Sequence, residues 1–217
     1  MGFKDNSPKT VYFYTKYGEM SASTRERFTK YIPFLNKNNI NVKSHILIND
    51  KIYFSRIIKG EKKIIHISFQ FINRIFQIIF QKKKLLVIQY ELLSFFPSIL
   101  ELYLKIRNIP YIIDLDDAVY LNYKKKFLYK ILFDRKFKRI LNWSNGIIVG
   151  NNFLKKEIKK FCKKKIIYLP TTVHVNISKF KKNHNFTVIW IGSPSTTKYL
   201  DDISFVIEYL SLNEDVR

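Results

Sequence analysis

The residues of this sequence best equipped for chemistry fall in short strings after apolar runs. Asp114-Leu115-Asp116-Asp117 follows Tyr111-Ile112-Ile113. Carboxylates this close repel one another unless cations or hydrogen-bond donors relieve them. A metal, sugar hydroxyls, a lysine or a helix N-terminus would each serve, and the string could equally cap a following helix. A second string, Ile191-Gly192-Ser193-Pro194-Ser195-Thr196-Thr197-Lys198, joins a glycine that permits close backbone approach to several hydroxyls and a lysine. This is equipment for a diphosphate, although it is neither a Walker A loop nor a GxGxxG fingerprint. A capped strand-to-helix turn is its plain alternative.

Met20-Ser21-Ala22-Ser23-Thr24-Arg25-Glu26-Arg27 opens another predicted helix. Ser23 and Glu26 fit a capping box. A helix N-terminus favours an anion, and Arg25 adds a charged donor; a good N-cap beside a solvated arginine is the simpler reading. In Gln89-Tyr90-Glu91 the carboxylate of Glu91 would face the same cleft or an exposed turn. In Gly150-Asn151-Asn152 one asparagine, with Asn151 taken as the site candidate, would cap a helix. His45, His66, His174 and His184 are scattered without metal-ligand spacing, no Ser/His/Asp order stands out, and no metal site is predicted.

These strings need a scaffold that brings strand ends together. Candidate strands are Val11–Thr15, Val42–Ile48, Leu85–Gln89, Tyr111–Asp114, Gly146–Val149, Ile166–Leu169 and Thr187–Ile191, mostly apolar throughout as strands covered on both faces should be. Predicted helices between them span Thr24–Lys37, Lys63–Gln81, Phe95–Arg107, Leu121–Trp143 and Phe153–Cys162, with a last one from Thr196 to Leu212. This alternation predicts an α/β fold with a parallel, doubly wound sheet and right-handed crossovers. Ligands bind such sheets at the carboxyl ends of the strands. In Ile64–Phe80, polar His66, Gln70, Asn73, Arg74 and Gln77 form one helical stripe, which argues against a membrane span and for a helix buried on its wide apolar face.

A polar, basic stretch near Val173–Asn185 predicts a boundary: a first domain over 1–180 and the start of a second over 186–217. One strand and one helix cannot bury a core alone, so the second part is expected to be truncated.

The chain has 217 residues, 47% of them hydrophobic, which is ample for a core and excludes global disorder. Lys and Arg number 39 against 17 Asp and Glu, a net charge of +22. Either polyanionic partners or compositional drift in a Lys-, Ile- and Asn-rich chain explains it. The single cysteine, Cys162, forbids an internal disulfide and fits a reducing compartment. The polar N-terminus lacks the apolar stretch of a signal peptide, so a cytoplasmic location is expected.

Five segments together resemble family 4 glycosyltransferases of the GT-B fold. They are Ser21–Phe28 with Tyr31–Leu35; Val87–Leu93; Tyr111–Tyr120; Val149-Gly150-Asn151 followed by Tyr168-Leu169-Pro170-Thr171; and Trp190–Leu200. The resemblance implies two Rossmann-like domains facing a cleft, with acceptor on the first and nucleotide-sugar on the second. It implies transfer with retention of configuration, no bound metal and no cofactor besides the nucleotide diphosphate sugar donor. On this reading Asp116 and Asp117 carry the catalytic role. Ser21, Ser23, Arg25, Glu91 and Asn151 line the acceptor cleft, and Gly192, Ser193, Ser195, Thr196 and Lys198 hold the donor phosphates. The family's first-loop glycines are replaced here by Ser21, Ala22 and Ser23, and its later glutamate-rich motif does not occur before Arg217. The chain alone is therefore expected to be inactive or barely active.

The expected partners are a nucleotide sugar, a glycan or lipid-linked acceptor of cell-envelope polysaccharide synthesis, and an anionic membrane surface reached through the basic surface and the apolar-faced helix. A non-catalytic sugar- or nucleotide-binding remnant is the alternative. A nucleic-acid-binding domain is weaker still: the lysine runs at 82–84, 124–126 and 155–165 spread over many segments, and no recognition motif accompanies them.

Overall fold

A computed structural model describes residues 9–61, 64–123, 135–172, 187–192 and 196–212. Six strands form one all-parallel sheet flanked by helices, the predicted Rossmann-like doubly wound class. They are β1 (Lys9–Tyr17), β2 (Ile40–Ile48), β3 (Leu85–Gln89), β4 (Tyr111–Leu115), β5 (Gly146–Val149) and β6 (Ile166–Tyr168), arranged β2-β1-β3-β4-β5-β6. The winding direction reverses between β1 and β3, and a parallel sheet opens its ligand crevice at such a reversal.

The central strands explain themselves. Leu86, Ile88, Ile113, Leu115, Ile147 and Val149, alternate residues of β3, β4 and β5, are fully buried on one face of the sheet, while the apolar residues between them are half-buried on the other. Edge strand β2 keeps only Leu47 and Ile48 buried. The register sets Gln89 beside Asp114 and Leu115 beside Val149, which levels the ends of β3, β4 and β5.

The helices depart from expectation where backbone chemistry intervenes. The predicted helix over 24–37 forms as α1 (Ala22–Arg27), a 3-10 turn (Thr29–Tyr31) and α2 (Ile32–Lys37). Pro33 lies in the first turn of α2, where its missing N–H costs nothing, and the chain re-initiates there. Asn39 and Asn108 adopt left-handed conformations just beyond α2 and the later α5 (Ile99–Ile106). Asparagine tolerates that backbone well and stops helices there. A short α3 (Asp50–Tyr53) runs on into a π-helical turn, Phe54–Ile58. Within 121–143 the described elements are a 3-10 helix (Val119–Tyr123) and α6 (Lys136–Trp143); α7 (Asn152–Lys159) follows β5. Buried Cys162 lies just past its end.

Helix α4 (Ile64–Ile79) corrects the amphipathic reading. It turns Ile78 inward together with Arg74, which is 1% exposed, and sets Ile67, Phe71 and Ile75 partly against the core. Its other face leaves Ile65 (84%), Phe69 (69%), Ile72 and Phe76 (55%) exposed, with Phe76 stacked on Phe80. The helix is apolar on two sides, and the sheet covers only one. A member of the supposed solvent stripe goes inside because it finds partners there. Arg74 Nη2 donates to the carbonyls of Thr15 (3.1 Å) and His45 (3.0 Å), and the guanidinium lies 4.8 Å from the Tyr14 ring centroid. Burial lowers its pKa to about 9, which leaves it charged at neutral pH.

The predicted strand Thr187–Ile191 does not form: residues 187–192 join no strand ladder among the described residues, and Ile191 is 92% exposed. A 3-10 helix (Thr197–Ile203) and α8 (Ser204–Ser211) follow. The boundary expected between 180 and 186 lies outside the described residues. Among those described, no helix is long and apolar enough to cross a membrane.

Candidate functional site

The candidate site is a bonded constellation at the carboxyl ends of β1, β3, β4 and β5. Asp114, the last residue but one of β4, is a buried carboxylate. Arg27, the last residue of α1, grips it with both prongs: Nε donates to Oδ2 at 2.7 Å and Nη2 to Oδ1 at 2.5 Å. Both side chains are almost wholly buried. Burial works against the charge of Arg27, but the bond to Asp114 outweighs it and raises the guanidinium pKa. Burial also pushes the Asp114 carboxyl up, and Arg27 counters that push. Bidentate contacts this short are the geometry of a charged pair. Arg27 Nη1 donates further to the Leu169 carbonyl (2.9 Å) and Thr171 Oγ1 (3.0 Å), so one side chain ties α1, β4 and the segment after β6 together.

Beside this pair runs a polar chain. Gln89 Nε2 donates to Ser23 Oγ at 2.8 Å, while its Oε1 accepts from the Lys16 amide at 2.9 Å. Ser23 Oγ is 3.2 Å from the Tyr90 hydroxyl, which donates to Asp116 Oδ1. Burial first, and then the charge of Asp116, raises the Tyr90 pKa, so the phenol keeps its proton and acts as donor. Tyr90 holds φ at +63°, a left-handed conformation that is uncommon for a bulky residue. Such strain costs about 1–3 kcal/mol and persists where the surroundings over-determine it. The hydrogen bond from the Tyr90 amide to the Asp114 carbonyl, at 2.9 Å, fixes it here.

On the far side, Gly150 is required by contact. A Cβ there would meet Asp116 Cα at 3.0 Å and Arg27 Nη1 at 3.3 Å. Next to it, Asn151 caps α7: its Oδ1 accepts from the Leu154 amide at 2.8 Å, and its Nδ2 donates to the Asp116 carbonyl at 3.2 Å. Asp117 stands at the exposed rim, where desolvation and the neighbouring Asp116 raise its carboxyl pKa.

The structure brings together Ser23, Asp116 and Asn151 from among the predicted residues, with Asp117 at the rim. Other predictions fall elsewhere. Ser21 is the N-cap of α1 but makes no side-chain cap bond. The capping box is absent because Ser23 lies inside α1 and bonds Gln89, while Glu26 pairs with Lys30 and Arg25. Arg25 is solvated, bonded to Glu26 and the Glu19 carbonyl. Glu91 turns into the core, where it pairs with Lys136 at 2.5 Å and accepts from Tyr123. Gly192 and Lys198 are exposed, Thr196 is partly exposed, and Ser193 and Ser195 lie outside the described residues. The residues not singled out in advance are Arg27, Gln89, Tyr90 and Gly150. Strand alternation offered no signal, because it sets Gln89 and Glu91 on the same face, and only the left-handed turn at Tyr90 separates them.

The three aspartates do not converge on one point, because Asp114 is taken by Arg27 and Asp116 by Tyr90. Among the described residues, no group of three His, Cys, Asp or Glu side chains is placed to hold a metal ion. The sequence matches no protein-family model, and no curated protein matches it significantly.

Proposed function

We propose that this chain is the acceptor-side part of a glycosyltransferase that takes a sugar from a nucleotide diphosphate sugar. The observation that carries the reading is the Ser23–Gln89–Tyr90–Asp116 chain beside the Arg27–Asp114 pair, at the sheet edge where ligands of parallel folds bind. Amides, hydroxyls and carboxylates with spare lone pairs suit a hydroxyl-rich ligand. The resemblance of the ordered segments to family 4 glycosyltransferases supports the same reading.

In this mechanism Asp116, oriented by Tyr90, and Asp117 at the rim accept hydrogen bonds from the acceptor hydroxyl and draw its proton as the new glycosidic bond forms. Burial and the neighbouring Asp116 raise the Asp117 carboxyl pKa, which makes it a better proton acceptor than a free aspartate. Gly192, Ser193, Ser195, Thr196 and Lys198 hold the donor phosphates. No metal or further cofactor takes part. A peripheral position on the inner face of a cell membrane fits the exposed apolar face of α4, which continues into Phe80 and exposed Lys82, Lys83 and Lys84. Apolar side chains flanked by lysines match an anionic bilayer surface.

Saturation-transfer NMR with a panel of glycans and of uridine and guanosine diphosphate sugars tests this. Glycan saturation is expected, and Asp116→Asn should remove it. No saturation from any glycan or nucleotide sugar would sink the reading. A sugar-binding module without transfer is the second reading, favoured by the exposed 187–192 segment, which forms no strand among the described residues. A turnover assay with the same nucleotide sugars separates the two.

A further inference from the structure

A second concavity lies at the carboxyl ends of β1, β2 and β3, next to the winding reversal and outside the constellation above. It has a volume of about 210 Å³. Its walls are apolar, with Tyr17, Ile48, Tyr53, Ile67 and Phe71 among them. Its polar groups are Lys16 from β1, Arg56 from the π-helical turn, and Ser94 from the loop after β3. None of the three side chains forms an ion pair or a hydrogen bond among the described residues. Lys16 Nζ bonds no acceptor and rests 5.4 Å from the ring centroid of Tyr17. Arg56 bonds no carboxylate, and the Ser94 hydroxyl is buried with no hydrogen bond. Burial lowers the Lys16 pKa, the charge of Glu91 opposes the lowering, and Arg56 adds to it. Two cations share one apolar crevice with an orphaned hydroxyl, an arrangement that an anion would complete.

We propose that this crevice binds a phosphate monoester carrying an apolar chain, its head between Lys16, Arg56 and Ser94 and its chain along Tyr53, Ile67 and Phe71. Two cations and a hydroxyl match a dianionic, three-oxygen head better than a carboxylate, which carries one charge and two oxygens. The aromatic and aliphatic walls are wasted on a free inorganic ion. The inference rests on the glycosyltransferase reading only in its consequence: the ligand is then the anchor of an amphiphilic, phosphate-bearing acceptor.

Calorimetric titration of the full chain with octyl phosphate, below its micelle concentration, tests the site against inorganic phosphate, octanoate and octanol. Octyl phosphate is expected to bind at least tenfold tighter than any of the three. Lys16→Gln and Arg56→Gln should each weaken it at least tenfold, and Lys105→Gln on α5 should leave it unchanged. Arg56 is exposed, so Arg56→Gln decides the matter if Lys16→Gln unfolds. Equal affinity for inorganic phosphate, octanoate or octanol overturns the proposal, as does undiminished binding by Arg56→Gln. Asp116→Asn separates the two readings. Octyl phosphate binding that persists while no glycan binds leaves the site standing and removes its acceptor role. Glycan binding without octyl phosphate binding removes the site alone.

Discussion

Arg27 shows how one side chain can hold a cleft open for chemistry. Its guanidinium meets both oxygens of Asp114, the Leu169 carbonyl and Thr171 Oγ1, a fan of acceptors that a lysine ammonium cannot span. Taking two charges out of water is costly, and only this geometry offsets it. Arg27→Met would strand Asp114 as a buried, unpaired carboxylate. The expected loss is about 3–5 kcal/mol in urea unfolding. Tyr90→Phe removes one neutral donor instead and should cost about 1 kcal/mol. Equal losses in the two variants would mean that the ion pair is not desolvated as the structure has it. Tyr90→Phe should also lower glycan affinity in the saturation-transfer experiment, because Asp116 loses the donor that orients it.

Among the elements, α4 is the one whose role cannot be reduced to supporting the sheet. Arg74 and Ile78 dock it, and Arg74 Nη2 donates to two strand carbonyls, which fixes the helix along β1 and β2, while its Nε stays buried without a hydrogen bond. Ile65, Phe69, Ile72 and Phe76 then have nowhere to go but outward. A contiguous exposed stripe of this kind marks an interaction surface. Phe76→Ser combined with Phe80→Ser should change stability by no more than about 0.5 kcal/mol, since both rings are exposed in the fold. The same pair should sharply reduce co-sedimentation with anionic phosphatidylserine vesicles at moderate salt. Undiminished sedimentation would assign vesicle binding to the charge of the lysines alone.

At the scale of the molecule, the buried charges set how stability answers pH. Glu101 is fully covered and accepts from the Leu92 amide at 2.9 Å. Burial raises its pKa above the ordinary 4.5, although Lys136 and the amide bond counter it. The folded chain therefore holds this proton more tightly than the unfolded one. Below about pH 4.5 both states are protonated and nothing is lost. As pH rises from there through the folded value, Glu101 subtracts from stability. Glu101→Gln keeps the acceptor for Leu92 and removes the titration. Its urea midpoint should gain on the wild type between pH 4.5 and 7, and a constant difference across that range would refute the assignment.

Much of this was legible in the amino-acid order, and the physical reason is locality. Apolar runs of four to seven residues punctuated by polar strings mark strands of a covered sheet, and their alternation with helices determines a parallel α/β sheet. The polar strings after Thr15, Ile88, Ile113 and Val149 therefore had to converge on one edge. Asn151 as a cap was equally readable, because capping joins residues three apart. What the tertiary structure alone decided is which member of each string turns inward. Arg27 rather than Arg25 enters the site, Tyr90 rather than Glu91 faces Asp116, and Arg74 leaves its polar stripe for the core. Each choice depends on a partner tens of residues away, across sheet register and packing that no local pattern encodes. The run Thr187–Ile191 makes the same point from the other side. Its residues have strand propensity, but a strand exists only where a neighbour offers its ladder, and among the described residues the run forms no strand.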